Sequence, residues 1–475
     1  MNDLPRFRAA SAAAFVIIYS LSFLTGCAGH EARTLGARTA LDEGRPEAAI
    51  ASLDHEMGVA QPNELPAKMN SDDALLVLDR ASIQQSVKRW QLSTSDFQAA
   101  DKAIDMLDLA HNAGDSIGEY VFSGSSGKYR APPYEKLLIN TLNMLNYLEL
   151  GDLNGARIEA RRLAVLQQYF RDSLHEGDNA ILGLGGLLAG YTFEKSGDAG
   201  EALHWYDEAV GFSPYPWLRG PLRQLMSQSN YATPRLRELV NGPPGAPLEN
   251  DVLGADRPAP PGAPPPPPGA ARGDTGDVLV VVGYGRVPGK IPNRVPIGLA
   301  LTLVAGDIEP GKAAAANRLA AQGLVTWVNY PSLGPERGGY ALPEVNVDGS
   351  YVQLTEAVDV TTQVREEWKK IEGKIILSAI TRLIARVAVG QGIEKAGGNG
   401  VVGVLASLGA QATLTALDTP DTRSWETLPA RVAVARFRLP VGDHPIELRV
   451  RGVVRREILH VQKGGWTTVS LMALR

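Results

Sequence analysis

The chain has 475 residues, a formal net charge of −5 and a single cysteine. That length supports two or three domains of about 150 residues each. The acidic balance argues against a nucleic-acid partner, because counterion release needs a basic surface. One cysteine leaves no intrachain disulfide, so the domains depend on their cores alone.

Near the start, Arg6 and Arg8 precede an uncharged run from Ala9 to Phe23, followed by Leu24-Thr25-Gly26-Cys27. A basic segment and a short apolar segment have the form of a signal peptide and are too short for a comfortable permanent span. The Leu-Thr-Gly-Cys string resembles the bacterial lipobox. The resemblance implies removal of residues 1–26 and acylation of Cys27, the sole cysteine. Each buried methylene contributes roughly 0.8 kcal/mol, so several acyl chains hold a protein on a membrane almost permanently. Ala28 in place of Asp implies, by the same resemblance, the outer membrane; the chain is expected to face the periplasm, with the cell exterior as the alternative.

Residues 27–241 read as an all-α domain of helical pairs. Gly44-Arg45-Pro46, Gly151-Asp152-Leu153 and Gly197-Asp198-Ala199 each place a turn glycine before a helix start, with a small residue five positions on. Glycine lets the chain reverse, and the small residue lets paired helices approach. Ser95-Asp96-Phe97 reads as a further copy with Ser at the glycine position. The third glycine copy continues through Tyr206, Ala209 and Pro214 and resembles a tetratricopeptide repeat. The copies lie further apart than the roughly 34 residues of that repeat.

Two catalytic-looking strings follow. Gly114-Asp115-Ser116-Ile117-Gly118 has nucleophile-elbow spacing but follows a helix rather than a strand. Ser125-Ser126-Gly127-Lys128 has the Ser-x-x-Lys spacing without its companion strings. Beyond them, Lys136, Asn140, Asn143 and Tyr147 share one helical face, and Arg157 and Arg161 lie on the next helix. In repeats of this kind the first helix of a pair lines a groove. These six residues are therefore the candidate groove for an extended peptide, with an ordinary solvated face as the alternative.

Residues 242–273 are dominated by Pro, Gly and Ala, with Pro264 to Pro268 unbroken. Such a run is polyproline II or disordered and marks a linker.

Residues 274–475 change period and read as an α+β domain. Asp277 to Val282 is a continuous apolar run expected as a buried strand. Gly283 to Lys290 fails as a phosphate loop, because Tyr284 and Ile291 occupy positions needing Gly and Ser or Thr. Leu324 to Tyr330 is a second strand, and Val358 to Gln391 a long amphipathic helix. Ala396 to Leu417 carries no charge and reads as a buried hairpin or core helix, with membrane contact as the alternative. In the tail, Ala433, Ala435, Phe437 and Leu439 alternate with Val434, Arg436 and Arg438. A turn over Leu439 to Asp443 leads to a second alternating strand, Ile446 to Val450. This predicts a closing β-hairpin in a β-sandwich-like module. Arg449, Arg451, Arg455 and Arg456 there suit phosphate head groups, acidic glycan or plain solvent.

Tyr134-Glu135, Asn143, Tyr147-Leu148, Gly151-Asp152 and Ala156 to Arg162 resemble a signature of uncharacterised bacterial lipoproteins with tetratricopeptide-like helices. Asp421 to Trp425, followed by Leu428-Pro429, belongs to the same resemblance. The resemblance implies architecture and location and carries no activity. Arg423 and Trp425 stand outside any packing period and are expected as a structural anchor between elements.

Two functional readings follow. The first is a non-enzymatic scaffold that holds an envelope protein through the helical groove, with no cofactor, metal or catalytic residue. The second is an enzyme acting on envelope polymers, or an activator of one. The seven histidines are scattered without metal-ligand spacing, which favours the first.

Overall fold

The computed structural model describes residues 30–69, 71–104, 129, 131–172, 179–242, 274–321, 327–338, 341–397 and 420–475. Cys27, both serine strings, residues 243–273 of the expected linker and residues 398–417 of the uncharged stretch lie outside these. The chain forms two compact units. The larger comprises Thr34–Lys290, Leu333–Glu372 and Arg423–Arg475; the smaller includes Ile291–Ser332 and Gly373–Thr422.

The amino-terminal half is helical and the carboxy-terminal region carries the sheets. Among the described residues, eight helices form four hairpins: α1 (His30–Asp42) with α2 (Pro46–Met57), α3 (Ser71–Ser86) with α4 (Trp90–Ala103), α5 (Pro133–Glu149) with α6 (Leu153–Asp172), and α7 (Ile181–Lys195) with α8 (Ala199–Val210). Short helices α9 (Arg219–Met226) and α10 (Pro234–Asn241) follow.

All four hairpins turn in the same way. The turn residue has a left-handed backbone: Gly44 at φ 73°, Lys88 at 64°, Gly151 at 71° and Gly197 at 81°. Its N–H reaches back three residues, and the next N–H reaches back five, as in Arg45 N–H to Ala40 O (2.8 Å) and Asp198 N–H to Phe193 O (3.0 Å). These two bonds satisfy carbonyls that a helix end leaves open. Five residues beyond each turn stands a fully buried small side chain: Ala49, Ser93, Ala156 and Ala202.

The second hairpin corrects a sequence expectation. Ser95 is not its turn residue but lies inside α4. Lys88 takes the left-handed position despite its Cβ, so the glycine signal is missing where the geometry is present. Ser93 then occupies the small-residue position and donates to Ala81 O at 2.8 Å.

In the larger unit, β1 (Thr275–Tyr284), β6 (Thr355–Asp359), β7 (Arg431–Pro440) and β10 (Trp466–Ala473) form one sheet in the order β10-β1-β7-β6. Only the β1–β10 pairing is parallel. A second sheet, antiparallel throughout, has the order β5-β4-β8-β9, from β4 (Glu344–Val347), β5 (Ser350–Val352), β8 (Gly442–Val450) and β9 (Val453–Val461).

The apolar run in β1 is continuous because both its faces are covered. Leu279 and Val281 join the core made by the helices, and Val278, Val280 and Val282 join a second core against β4, β8 and β9. Val432 and Val434 of β7 face the first core; Ala433, Ala435, Phe437 and Leu439 face the second. The helical half and the sheet therefore share one interior.

The expected hairpin over 433–450 does not form. At Pro440 to Gly442 the chain leaves one sheet for the other: β7 pairs with β1 and β6, and β8 pairs with β4 and β9. The hairpin is β8–β9, closed by Arg451 and Gly452 at φ 50° and 76°. Two positive φ values give the turn a twist that matches its strands.

The smaller unit has its own core, from Ile297 and Ala300 of α11 (Ile297–Leu303), Ala316 of α12 (Pro310–Ala321), Val328 and Tyr330 of β3 (Trp327–Leu333), and Ile376, Ile380 and Leu383 of α13 (Val360–Gly397). Strand β2 (Lys290–Pro296) pairs with β3. Among the described residues, no helix is long and apolar enough to cross a membrane.

The turns are directly testable. Neither Gly151 nor Gly197 has any atom within 4 Å of the place a Cβ would occupy. Gly151→Ala and Gly197→Ala therefore each cost about 1 kcal/mol through backbone conformation alone. Urea unfolding should show this as a lower midpoint with an unchanged slope.

Candidate functional site

Inside the larger unit a short irregular segment, residues 423–430, crosses the helical array. Irregular backbone can be buried only if its polar groups find partners. Glu135 of α5 accepts the Trp425 N–H at 3.1 Å. Asp79 of α3 accepts the N–H groups of Glu426 (3.1 Å) and Thr427 (3.0 Å) and the Thr427 hydroxyl (2.9 Å). The Trp425 ring is fully buried; its Nε1–H donates to Ser82 at 3.0 Å and it makes an edge-type contact with the Phe97 ring, centroids 5.8 Å apart. Arg423, also buried, pairs with Asp72 at 3.2 Å and lies over the Tyr129 ring. Burial pushes the Glu135 carboxyl up, opposed by the hydroxyl of Tyr129 and the Trp425 N–H.

The expected groove face behaves differently. Asn140 and Asn143 are buried, which corrects their assignment to an open groove. Asn143 donates to Glu159 of α6 at 2.9 Å, and Asn140 returns to Lys136 O at 3.3 Å. Tyr147 and Lys136 are half-buried, and the Tyr147 hydroxyl accepts from Gln98 of α4 at 2.7 Å. Arg157 is half-buried and Arg161 exposed, so these six residues do not make one surface. The physical reason is the tight packing of α4, α5 and α6: a Cβ on Gly155 would lie 2.2 Å from the Tyr147 ring. What the face holds is a pair of carboxylates. Glu159 is pushed up to about 7, first by burial, against the pull of Arg162, and further by Asp101. Arg162 bridges them, 2.9 Å from Asp101 and 3.7 Å from Glu159.

The structure offers a different candidate, a polar cleft of about 400 Å³ in the larger unit. Its floor is built by α7, β1 and β7, and its walls by Trp217 and by Trp466 of β10. Arg436 is central. Its Nε donates to both carboxylate oxygens of Asp277 at 3.0 Å, and its Nη1 to Glu194 at 2.8 Å and to the Tyr206 hydroxyl at 3.1 Å. Tyr206 in turn donates to Glu194 at 2.7 Å. Lys195 pairs with Glu194 at 2.9 Å and also with Asp277. The Tyr191 ring lies beneath both cations, 5.0 Å from each.

Arg436 lies on one of the two alternating faces of β7. It shares that face with Val432 and Val434, and the face points to the helices, so the guanidinium meets Glu194 of α7 instead of water. Arg438, two residues on, is exposed at the cleft.

Two cations and two anions neutralise one another here. Burial raises the pKa of each carboxylate, but Arg436 and Lys195 outweigh it: Glu194 is held down at about 2, and Asp277 below its ordinary value. Arg436 is held well above its own. These groups stay ionised and can accept and donate hydrogen bonds, but they are poorly matched to proton transfer near neutrality. No part of this cluster was singled out by sequence reasoning. Glu194, Asp277 and Arg436 sit on three distant segments, and only the apolar run around Asp277 carried a signal. Among the described residues, no three His, Cys, Asp or Glu side chains come together as metal ligands.

Removing Arg436 leaves two buried anions with Lys195 alone, so Arg436→Ala should cost about 3–5 kcal/mol in chemical unfolding. Glu159 gives a pH signature. Its folded pKa of about 7 exceeds its unfolded value, so its contribution is fully present below about pH 4.5 and is lost as pH rises through 7. Wild type should therefore lose more stability than Glu159→Gln between those pH values, by ~3 kcal/mol at most.

A scan against protein-family models finds no match to the chain, and no curated protein or solved structure is detectably similar to it.

Proposed function

We propose that the chain is a membrane-anchored cell-envelope lipoprotein that acts as a non-enzymatic protein-interaction scaffold. Acylated Cys27 is its anchor, on the periplasmic side of the outer membrane; the Leu24 to Cys27 string supports this. The four helical hairpins are its tetratricopeptide-like frame, supported by their shared turn geometry and the buried small residue five positions beyond each turn. The interior of that frame is filled by the chain's own residues 423–430, so a partner segment is received at the cleft.

The observation that carries the reading is the electrostatic state of the cleft floor. Glu194 and Asp277 are committed to Arg436 and Lys195 as fixed ions. Fixed hydrogen-bonding groups between two tryptophans suit recognition of a polar segment and leave no carboxyl poised to shuttle a proton. A second reading, an enzyme acting on envelope polymers or an activator of one, is favoured by Glu159, which titrates near neutrality beside Asp101. Its burial and its commitment to Asn143 weigh against it.

The test is crosslinking and pull-down from intact envelopes. Gln224→Ala/Gln228→Ala/Arg438→Ala alters exposed cleft residues and should abolish capture of a partner taken by wild type. Lys136→Ala/Arg161→Ala should leave capture intact. Capture unaffected by the cleft variant sinks the assignment. In the same preparations, Cys27→Ser should move the chain into the soluble fraction.

A further inference from the structure

Four arginines from four separate stretches converge beside the α1–α2 turn. Arg286 follows β1, Arg337 follows β3, Arg451 opens the β8–β9 turn and Arg475 follows β10. Arg286 and Arg337 exchange backbone hydrogen bonds, 2.7 Å from Arg286 N–H and 3.0 Å in return. The Arg451 guanidinium lies over Gly338 and Gly285. A Cβ on Gly338 would stand 2.2 Å from its Nη1, and one on Gly285 3.7 Å away. Both glycines have positive φ; the missing Cβ of Gly338 makes room for the Arg451 side chain, and that of Gly285 for Arg337 O, 2.7 Å from where it would stand. Arg475 Nη1 lies 3.7 Å from the Cβ positions of both Gly44 and Gly452, which joins the α1–α2 turn to the β8–β9 turn.

Negative charge here falls short of positive. Asp42 pairs with Arg286, Glu426 with Arg38 at 3.0 Å, and Glu336 with Arg431 at 2.6 Å. Among the described residues, no Asp or Glu side chain lies within ion-pair distance of Arg337, Arg451 or Arg475. Arg286 is only 2% exposed, yet its Nε–H has no acceptor. Arg451 Nη1 is also buried without one. Burial, then Arg475, holds Arg451 below the usual guanidinium range; burial, with Arg337 and Arg38 adding to it, does the same to Arg286. Buried donors without acceptors are costly, and crowded like charges add to the cost. A doubly charged tetrahedral oxyanion would relieve both, because guanidinium forks match its oxygens. Three unpaired arginines suit a dianion better than a carboxylate.

We propose that Arg286, Arg337, Arg451 and Arg475 form a binding site for a phosphate group, carried by a free phosphate or by a lipid headgroup. Arg286 and Arg451 are the buried donors; Arg337 and Arg475 close the site from the exposed side. The site is separate from the cleft and does not depend on the scaffold reading.

Calorimetric titration of the full chain in detergent tests this, at constant ionic strength. One probe is inorganic phosphate; the other is dihexanoylphosphatidic acid, a phosphomonoester lipid, below its micellar concentration. Saturable binding is expected for at least one probe, weakened about tenfold by Arg451→Gln, the loss of one charge-assisted pair. Arg475→Gln changes an exposed side chain, should melt like wild type without anion, and should weaken binding severalfold. It decides the matter if Arg451→Gln fails to fold. Binding of inorganic phosphate identifies a free-anion site; binding of the lipid alone identifies a headgroup site. If neither probe binds, or both variants bind as wild type does, the assignment is overturned.

Discussion

The larger unit depends on the satisfaction of one buried, irregular segment. Residues 423–430 have no strand or helix partner for much of their backbone, yet they cross an interior. Asp79 and Glu135 solve this by placing carboxylate oxygens against the N–H groups of Trp425, Glu426 and Thr427. A carboxylate accepts several strong hydrogen bonds at once, so two side chains dock a whole segment. Trp425 then fills the space between α3, α4 and α5 that an array of open hairpins would leave as a groove. The helical half is thus completed by a stretch that stands 213 residues, from Val210 to Arg423, beyond the end of its last hairpin.

Buried charge follows the same rule elsewhere in this unit. Arg80, with a fully buried side chain, is held by both oxygens of Asp96 at 2.8 Å, by Asp54 at 2.6 Å and by Glu64 O at 2.8 Å. Arg436 is matched in the same way by Asp277, Glu194 and Tyr206. Removing one partner from such a cluster costs far more than the cluster contributes, because it strands the rest. The arginines around Arg451 break the pattern, with guanidinium groups gathered and too few acceptors supplied. That contrast within one protein sets the phosphate site apart from the structural ion clusters.

Parts of the fold were legible in the residues. Gly44, Gly151 and Gly197 marked three hairpin turns because a left-handed residue there strongly favours glycine. The run from Val278 to Val282 marked a strand covered on both faces. The second hairpin was misplaced to Ser95 because Lys88 adopts the left-handed turn without the residue type that advertises it. The tail was read as a hairpin because alternation within β7 and β8 is real; it does not say which strand each pairs with. The two halves of that alternation go to different sheets. The groove residues were legible as one helical face, but periodicity does not tell a face turned to solvent from one closed by Tyr147, Gly155 and Glu159. None of the cleft's charged residues was picked out.

The sequence by itself determined what neighbours within a few residues decide: where helices stop, where a small side chain admits a second helix, and which stretch is apolar enough to be buried on both faces. It also carried the Leu24 to Cys27 string, a signal read locally. Only the tertiary structure decided which charges meet. Asp277, Glu194 and Arg436 are brought together by the stacking of α7 on the sheet, and Arg286, Arg337, Arg451 and Arg475 by the meeting of four chain segments at one turn. Hydrogen bonds and ion pairs act over a few ångströms, whatever the separation along the chain, so their partners are set by packing and leave no local trace in the residues themselves.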